Sequence, residues 1–264
     1  MSLIYVFPGQ GSQKLGMGAG LFERFRDLVE IADRQLGYSV EQLCLKDPQN
    51  QLAQTEFTQP ALFVVNALSF LSRQDEQKQN PAFVAGHSLG EYNALFASGV
   101  FDFATGLKLV QKRGELMARV RGGAMAAVVG IKPDRVSELL LNFAFDGVDI
   151  ANYNSPVQTA ISGPEAQVRQ AIPVFKEAGA TVIQLKVSGA FHSRMMKPVQ
   201  KEFASFFEPF PIAPMQIPVV ANVTGLPYEP ARIRETLARQ IASPVRWTES
   251  IRFLLGQEDM FSKK

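Results

Sequence analysis

Residues 84–97 read Val84-Ala85-Gly86-His87-Ser88-Leu89-Gly90-Glu91-Tyr92-Asn93-Ala94-Leu95-Phe96-Ala97, a serine set between glycines where an apolar run gives way to a helical pattern. Gly86-His87-Ser88-Leu89-Gly90 fits Gly-x-Ser-x-Gly. In that motif the serine sits on a sharp turn, the glycines let backbone and substrate approach, and the next helix points its N-terminus at the reacting oxygen. The run before it, the helix after it and Gly99, placed to end that helix, supply the context of a nucleophile. An ordinary tight turn is the alternative reading of those five residues taken alone.

Outward from this point, Ser2 to Phe7 is a short apolar run ended by Pro8-Gly9-Gln10-Gly11-Ser12-Gln13, a strand feeding a glycine-rich loop. Ala82 to Ala85 has the same side-by-side apolar character, which suits a parallel sheet covered on both faces. Helical patterns over Leu21–Leu36 and Gln59–Leu71 lie between them, so a large α/β-hydrolase-like domain with a parallel sheet is expected. From Ala124 the rhythm changes. Strand, helix, strand, strand, helix and strand are expected at 124–131, 133–141, 148–152, 158–162, 165–178 and 181–187, with a turn at Asn154-Ser155-Pro156. That βαββαβ order is the ferredoxin-like arrangement. The α/β chain therefore reads as a small ferredoxin-like domain, 123–188, inserted into a large one made of 1–122 and 189–264. Helices at 193–207, 231–241 and 248–255 and a strand at 217–222 complete the large domain.

With 27 basic and 25 acidic residues in 264, the net charge of +2 marks the chain neither as a nucleic-acid binder nor as a membrane-surface binder. The single cysteine, Cys44, excludes an intrachain disulfide, argues against a cysteine-based metal site and reads as a core thiol. No segment approaches the roughly 20 apolar residues that span a bilayer, and no basic region precedes a long apolar one at the start. A cytoplasmic location is the expectation.

A serine hydroxyl needs a base, and the chain has two histidines. His87 adjoins Ser88, and side chains of neighbouring residues in a sharp elbow diverge, so a packing or turn-stabilising role suits it. His192, in Gly189-Ala190-Phe191-His192-Ser193, is the candidate base. An α/β-hydrolase would keep its histidine near the C-terminus after an acidic partner, and Glu91 stands where a second small residue often sits; both details lower the hydrolase reading.

The helix from Ala104 to Val120 carries an arginine on the wrong face. Leu109, Val110, Leu116 and Met117 lie three or four positions from Arg113, which centres it in the apolar stripe. A buried guanidinium is costly unless paired, and its planar fork matches a carboxylate. The pattern leaves two readings open: an internal salt bridge or a snorkelling side chain, or an arginine awaiting the carboxylate of an acyl substrate. Lys108, Lys112 and Arg119 fall towards the other face as solvated charges.

Phe7-Pro8-Gly9-Gln10-Gly11-Ser12-Gln13, Thr58-Gln59-Pro60-Ala61-Leu62, Gly86-His87-Ser88-Leu89-Gly90-Glu91, Gly123-Ala124-Met125-Ala126-Ala127-Val128, Ala190-Phe191-His192-Ser193 and Ser243-Pro244-Val245-Arg246-Trp247 together resemble the successive signatures of malonyl-CoA:acyl-carrier-protein transacylases. The region from Tyr92 to Val120 is most similar to free-standing acyltransferases that serve polyketide synthases in trans. The resemblance implies Ser88 as acylated nucleophile, His192 as its base, and the backbone N–H groups of Gln10 and Leu89 as oxyanion hole. It assigns Arg113 to the substrate carboxylate, the Gln240 backbone carbonyl to orienting His192, and Phe191 to a preference for malonyl over branched units. It implies malonyl transfer from coenzyme A to the phosphopantetheine thiol of an acyl carrier protein, in polyketide or fatty-acid synthesis. Malonyl-CoA and phosphopantetheine are then substrates, no cofactor or metal is called for, and a monomer suffices. Hydrolysis of carrier-bound thioesters by the same Ser88 and His192 is the competing activity. Arg194, Lys197 and Lys201 are candidates to meet an acidic carrier, with a solvated helix face as the alternative.

Overall fold

The computed structural model describes residues 3–77, 79–187 and 189–261. Ser2 at the expected start of the first strand, Ser188 at the expected end of the inserted domain and 262–264 lie outside the described residues. The chain opens with β1 (Ile4–Phe7), α1 (Leu21–Arg24), α2 (Arg26–Leu36), α3 (Val40–Leu45) and α4 (Thr55–Gln77). The single helix expected over Leu21–Leu36 is two helices, because Phe25 leaves the helical region at φ −117°, ψ 42°. The helix expected from Gln59 begins at Thr55, with Pro60 inside it. Next come β2 (Phe83–Gly86), α5 (Gly90–Ala97) and α6 (Phe103–Arg119), then β3 (Gly123–Val129), α7 (Pro133–Asn142), β4 (Asp149–Ser155), β5 (Gln158–Pro164), α8 (Glu165–Glu177) and β6 (Thr181–Gln184). The chain returns through α9 (Lys197–Phe207), β7 (Val219–Val220), α10 (Ile233–Gln240) and α11 (Trp247–Phe261). The strand expected over 217–222 keeps two residues, because Ala221 turns its N–H to Leu226 O at 2.9 Å. No helix among the described residues is long and apolar enough to cross a membrane.

Strands β1, β2 and β7 form a parallel sheet in the order β1-β2-β7, with Phe7 beside Gly86 at the ends of the first pair. Ala85 and Val220 pack under Leu254 of α11 on one face, while Phe7, Val84 and Val219 enter the main core on the other. Both faces are covered, which is why these strands carry apolar runs rather than alternation.

The second sheet is antiparallel, in the order β4-β5-β3-β6. Its first and last strands in sequence, β3 and β6, lie side by side, which is the ferredoxin-like topology. Strand periodicity assigns its two faces to different tasks. Ala124, Ala126 and Val128 of β3 join Val136 and Leu139 of α7 and Val168, Ala171 and Phe175 of α8 in a separate core. Met125 and Ala127, between them, face the cleft that holds Ser88 and His192. The edge of β4 is tied to the loop before α11: Val245 N–H donates to Ala151 O at 2.8 Å and Tyr153 N–H to Val245 O at 2.9 Å.

The charged face of α6 is not simply solvated, as its pattern led us to expect. Lys112 and Arg119 each lie 3.6 Å from Glu202 of α9, and the ammonium groups of Lys108 and Lys112 sit 5.9 and 5.6 Å from the rings of Phe210 and Phe206. The apolar stripe of α6 packs inward while this face docks α9.

Candidate active site

Strand β2 ends at Gly86 and α5 starts at Gly90, so the chain must reverse within three residues. Ser88 takes the strain, at φ 51°, a left-handed conformation disfavoured for a residue with a side chain. A Cβ on Gly90 would lie 2.2 Å from Phe7 O, and one on Gly9 would lie 2.3 Å from His87 O. Glycine at both positions lets the loop after β1 press directly on the elbow, which carries Gln10 to the rim of the same cleft as Ser88. Asn222, just past β7, clamps the elbow from below: its Oδ1 accepts from Ser88 N–H and its Nδ2 donates to Gly86 O, both at 2.7 Å.

His192 follows the last strand of the inserted sheet, and it too is left-handed, at φ 59°. Its Nε2 lies 2.7 Å from Ser88 Oγ. Its Nδ1 faces two carbonyls, Gln240 O at 2.9 Å and Ser243 O at 3.1 Å. Carbonyls only accept, so Nδ1 carries the ring proton and Nε2 presents its lone pair to the hydroxyl. Burial pushes the imidazole down to about 3, with the nearby Arg113 charge adding to the effect and the two carbonyl hydrogen bonds opposing it. The histidine is therefore neutral near pH 7. His87 is turned elsewhere: its Nε2 is 3.0 Å from Asn154 Oδ1 and its ring meets Trp247 edge-on at 5.3 Å.

Arg113 is 1 % exposed. Its Nη1 donates to Gln59 Oε1 at 2.7 Å, and Nη2 donates to both Ser88 Oγ and Gln240 Oε1 at 3.0 Å. The Tyr92 ring lies 5.5 Å from the guanidinium carbon, and Nε has no hydrogen-bond partner among the described residues. Two of the five N–H donors thus meet no acceptor among those residues. No carboxylate among the described residues pairs with the fork directly, so the direct internal salt bridge that the sequence pattern left open does not form. A cation held in this way has room for an anion beside the serine.

Neither the Gln10 N–H nor the Leu89 N–H donates to another group among the described residues. Gln10 is fixed instead by its side chain, Nε2 to Thr55 Oγ1 at 3.2 Å. The cleft encloses about 190 Å³, walled on its apolar side by Met117, Met125, Leu185, Val187 and Phe191. A wider depression of about 690 Å³ opens on the outer side of His192, bounded by Tyr153, Asp149, Arg194 and Pro244. Arg194 there is already committed, its Nη2 lying 2.5 Å from Asp149 Oδ1.

The acyl transferase domain model matches residues 4–259. The chain belongs to the acyl transferase domain family. Among curated proteins it is 50 % identical over 260 residues to the polyketide biosynthesis malonyl CoA-acyl carrier protein transacylase PksC of Bacillus subtilis, covering 98 % of this chain and 90 % of that one. It is 54 % identical over 254 residues to the polyketide biosynthesis protein ThaF of Burkholderia thailandensis, covering 96 % of this chain; it spans 22 % of ThaF, and 34 % of PksE of Bacillus subtilis. Among solved structures, a malonyl CoA-acyl carrier protein transacylase from Burkholderia pseudomallei superposes with a TM-score of 0.97 at 48 % identity, over 99 % of this chain and 91 % of that one. A type II polyketide synthase malonyl-transacylase solved with its acyl-carrier protein gives 0.92 at 37 % identity, over 98 % and 86 %.

In this acyl transferase, sequence reasoning brought Ser88, His192, Arg113, Gln10, Leu89, Gln240 and Phe191 to one place, and it missed the residues that hold them. Gln240 contributes more than its backbone carbonyl: its side-chain Nε2 donates to Ser88 O and to Glu91 Oε2, each at 2.7 Å. Gln59, Asn222, Ser243 and Tyr228 were not singled out for a role at the site. Glu91 carries a signal, an acid beside the polar Asn93 in a helix that is otherwise largely apolar directly after the elbow, and its sequence reading extends only to a departure from the hydrolase pattern.

Proposed function

We propose that this acyl transferase moves a malonyl group from coenzyme A to the phosphopantetheine thiol of an acyl carrier protein in polyketide biosynthesis, through an acyl-serine. The observation that carries the reading is the meeting of two groups at Ser88 Oγ, a neutral imidazole at 2.7 Å and a buried guanidinium at 3.0 Å that has no direct carboxylate partner among the described residues. The names of the near full-length relatives and solved structures support the substrate assignment.

In the first step Ser88 Oγ attacks the thioester carbonyl while His192 Nε2 takes its proton. The oxyanion is received by the N–H groups of Gln10 and Leu89, which donate to no other group among the described residues. The C–S bond breaks, the imidazolium returns its proton to the departing thiolate, and an ester on Ser88 remains. A three-carbon acyl chain on Ser88 brings its far carboxylate to Arg113, with Phe191 among the residues that close the space around it. In the second step the phosphopantetheine thiol gives its proton to His192 and attacks the ester, the C–Oγ bond breaks, and the imidazolium returns that proton to Ser88 Oγ. The products are a new thioester and free Ser88. Oxidation state is unchanged and one thioester replaces another, so the exchange is reversible. We take residues 1–122 with 189–264 as the catalytic domain and 123–188 as its small ferredoxin-like insert, a monomer as sufficient because every protein group invoked comes from one copy, and the cytoplasm as the location.

Intact-mass analysis tests this. Incubation with malonyl-CoA should add one malonyl group to the wild type and none to Ser88→Ala, and added phosphopantetheinylated carrier should discharge it onto the carrier. Release of free malonate without carrier loading would assign the same Ser88 and His192 to hydrolysis instead.

A further inference from the structure

Glu91 is fully buried in the first turn of α5, three residues past the nucleophile. Both of its oxygens are occupied. Oε1 accepts from the Tyr228 hydroxyl and, at 3.3 Å, from Asn222 N–H; Oε2 accepts from Gln240 Nε2 at 2.7 Å. Gln240 in turn accepts from Arg113 Nη2 at 3.0 Å. The hydrogen bonds therefore run in one direction, from the guanidinium to the carboxamide and from the carboxamide to the carboxylate. A direct Arg113–Glu91 ion pair would occupy the fork and draw it away from Ser88. The intervening amide passes the counter-charge to Arg113 and leaves the fork turned towards the serine.

We propose that Glu91 is a positioning residue for substrate choice: its carboxylate, acting through the Gln240 side chain, holds Arg113 aimed at Ser88 and so sets the preference for acyl groups that carry their own carboxylate. The inference rests on the acyl-transfer reading above. Burial holds the Glu91 carboxyl up at about 7, against the hydrogen bonds from Tyr228, Gln240 and Asn222 and the charge of Arg113, so the residue is ionised in mildly alkaline buffer.

Glu91→Gln keeps the shape and removes the counter-charge. If the new amide nitrogen faces Gln240, donor meets donor, and Gln240 must turn over and present its own nitrogen to the guanidinium. If it faces Tyr228 and Asn222, the amide oxygen still accepts from Gln240, but the nitrogen meets the Asn222 N–H and no charge answers Arg113. Tyr228→Phe is the gentler variant, removing one donor to Glu91 without touching Gln240.

The test measures, at pH 8, the rate of Ser88 acylation by malonyl-CoA and by acetyl-CoA for the wild type and both variants, read by intact mass. Glu91→Gln should lower the malonyl-to-acetyl rate ratio roughly tenfold, a modest charge-assisted contact. Tyr228→Phe should lower it in the same direction by a smaller factor, and its ratio decides the matter should the first variant fail to fold. Equal losses for both substrates, or an unchanged ratio, would overturn the proposal, since a merely structural role scales both rates together. A wild type that forms no acyl-serine would sink the acyl-transfer reading instead, so the two failures are distinguishable.

Discussion

Arg113 donates to Ser88 across 3.0 Å, which makes the hydroxyl in contact with the neutral His192 also a neighbour of a buried cation. Helix α6 presents this arginine from the middle of its apolar stripe, so it cannot reach solvent, and its immediate acceptors are two amides and the hydroxyl itself.

Arg113→Ala removes a fork able to give a substrate carboxylate two charge-assisted hydrogen bonds, each worth about 1.5–3 kcal/mol. Acylation by malonyl-CoA should fall by at least about a hundredfold, while acylation by acetyl-CoA should fall much less or rise. Steady-state kcat/KM with both thioesters checks it. A preserved malonyl preference would return Arg113 to a purely internal role.

The buried titrating groups give opposite pH signatures. His192 is lowered to about 3 from 6.5, so the folded state binds fewer protons than the unfolded one between those values, and stability is lost as pH falls below 6.5. His87, also lowered by burial, has the same sign. Glu91 is raised to about 7 from 4.5, so the folded state binds more protons in that window, and stability is gained as pH falls through 7. Between pH 7.5 and 5 the His192 and Glu91 contributions are each about 2 kcal/mol and nearly cancel. Glu91→Gln removes the compensating gain, so urea denaturation at the two pH values should show acidification costing this variant about 2 kcal/mol more than it costs the wild type. Parallel pH dependence in the two proteins would mean that Glu91 does not titrate in this window.

Glycine substitutions separate the elbow from the surface. A Cβ on Gly90 meets Phe7 O at 2.2 Å, so Gly90→Ala must push β1 off the elbow, at a cost of at least about 3 kcal/mol. Gly256 lies exposed inside α11 with nothing within 4 Å of the added atom, so Gly256→Ala should stabilise by about 0.5–1 kcal/mol. Thermal unfolding of the pair checks both signs at once.

What the sequence made legible follows from range. Periodicity is local, and it marked the β1 and β2 runs, the βαββαβ order and the misplaced Arg113. The Gly-x-Ser-x-Gly elbow is local too, and its glycines are required by contacts that a Cβ would make at 1.9 Å on Gly86 and 2.2 Å on Gly90. The break at Phe25 was invisible because nothing in the Leu21–Leu36 pattern interrupts the apolar spacing. The supports of the site were invisible for a different reason. Asn222, Gln59 and Tyr228 reach Ser88, Arg113 and Glu91 across 134, 54 and 137 positions, and a single polar residue in an apolar segment has many possible partners. The second face of β3 was also unread: Met125 and Ala127 look like ordinary core, and only the assembled sheet turns them towards the cleft.

Asn222 supplies the last prediction, because it holds the serine without touching the arginine. Its Oδ1 accepts from Ser88 N–H and its Nδ2 donates to Gly86 O, so Asn222→Ala leaves two buried backbone groups on the elbow unpaired, at about 1–3 kcal/mol each. Ser88 holds its left-handed conformation only while the surroundings enforce it, so the variant should also acylate more slowly, by roughly a hundredfold if Oγ shifts by about an ångström. That loss should be the same for malonyl-CoA and acetyl-CoA, since the guanidinium keeps its Gln59 and Gln240 contacts. Asn222→Asp restores the acceptor for Ser88 N–H but not the donor for Gly86 O, and should recover part of the rate. A loss confined to malonyl-CoA would show instead that the side chain acts by placing the backbone N–H of residue 222, which the substitution keeps and which donates to Glu91 Oε1, joining it to the carboxylate-selecting chain rather than to the elbow.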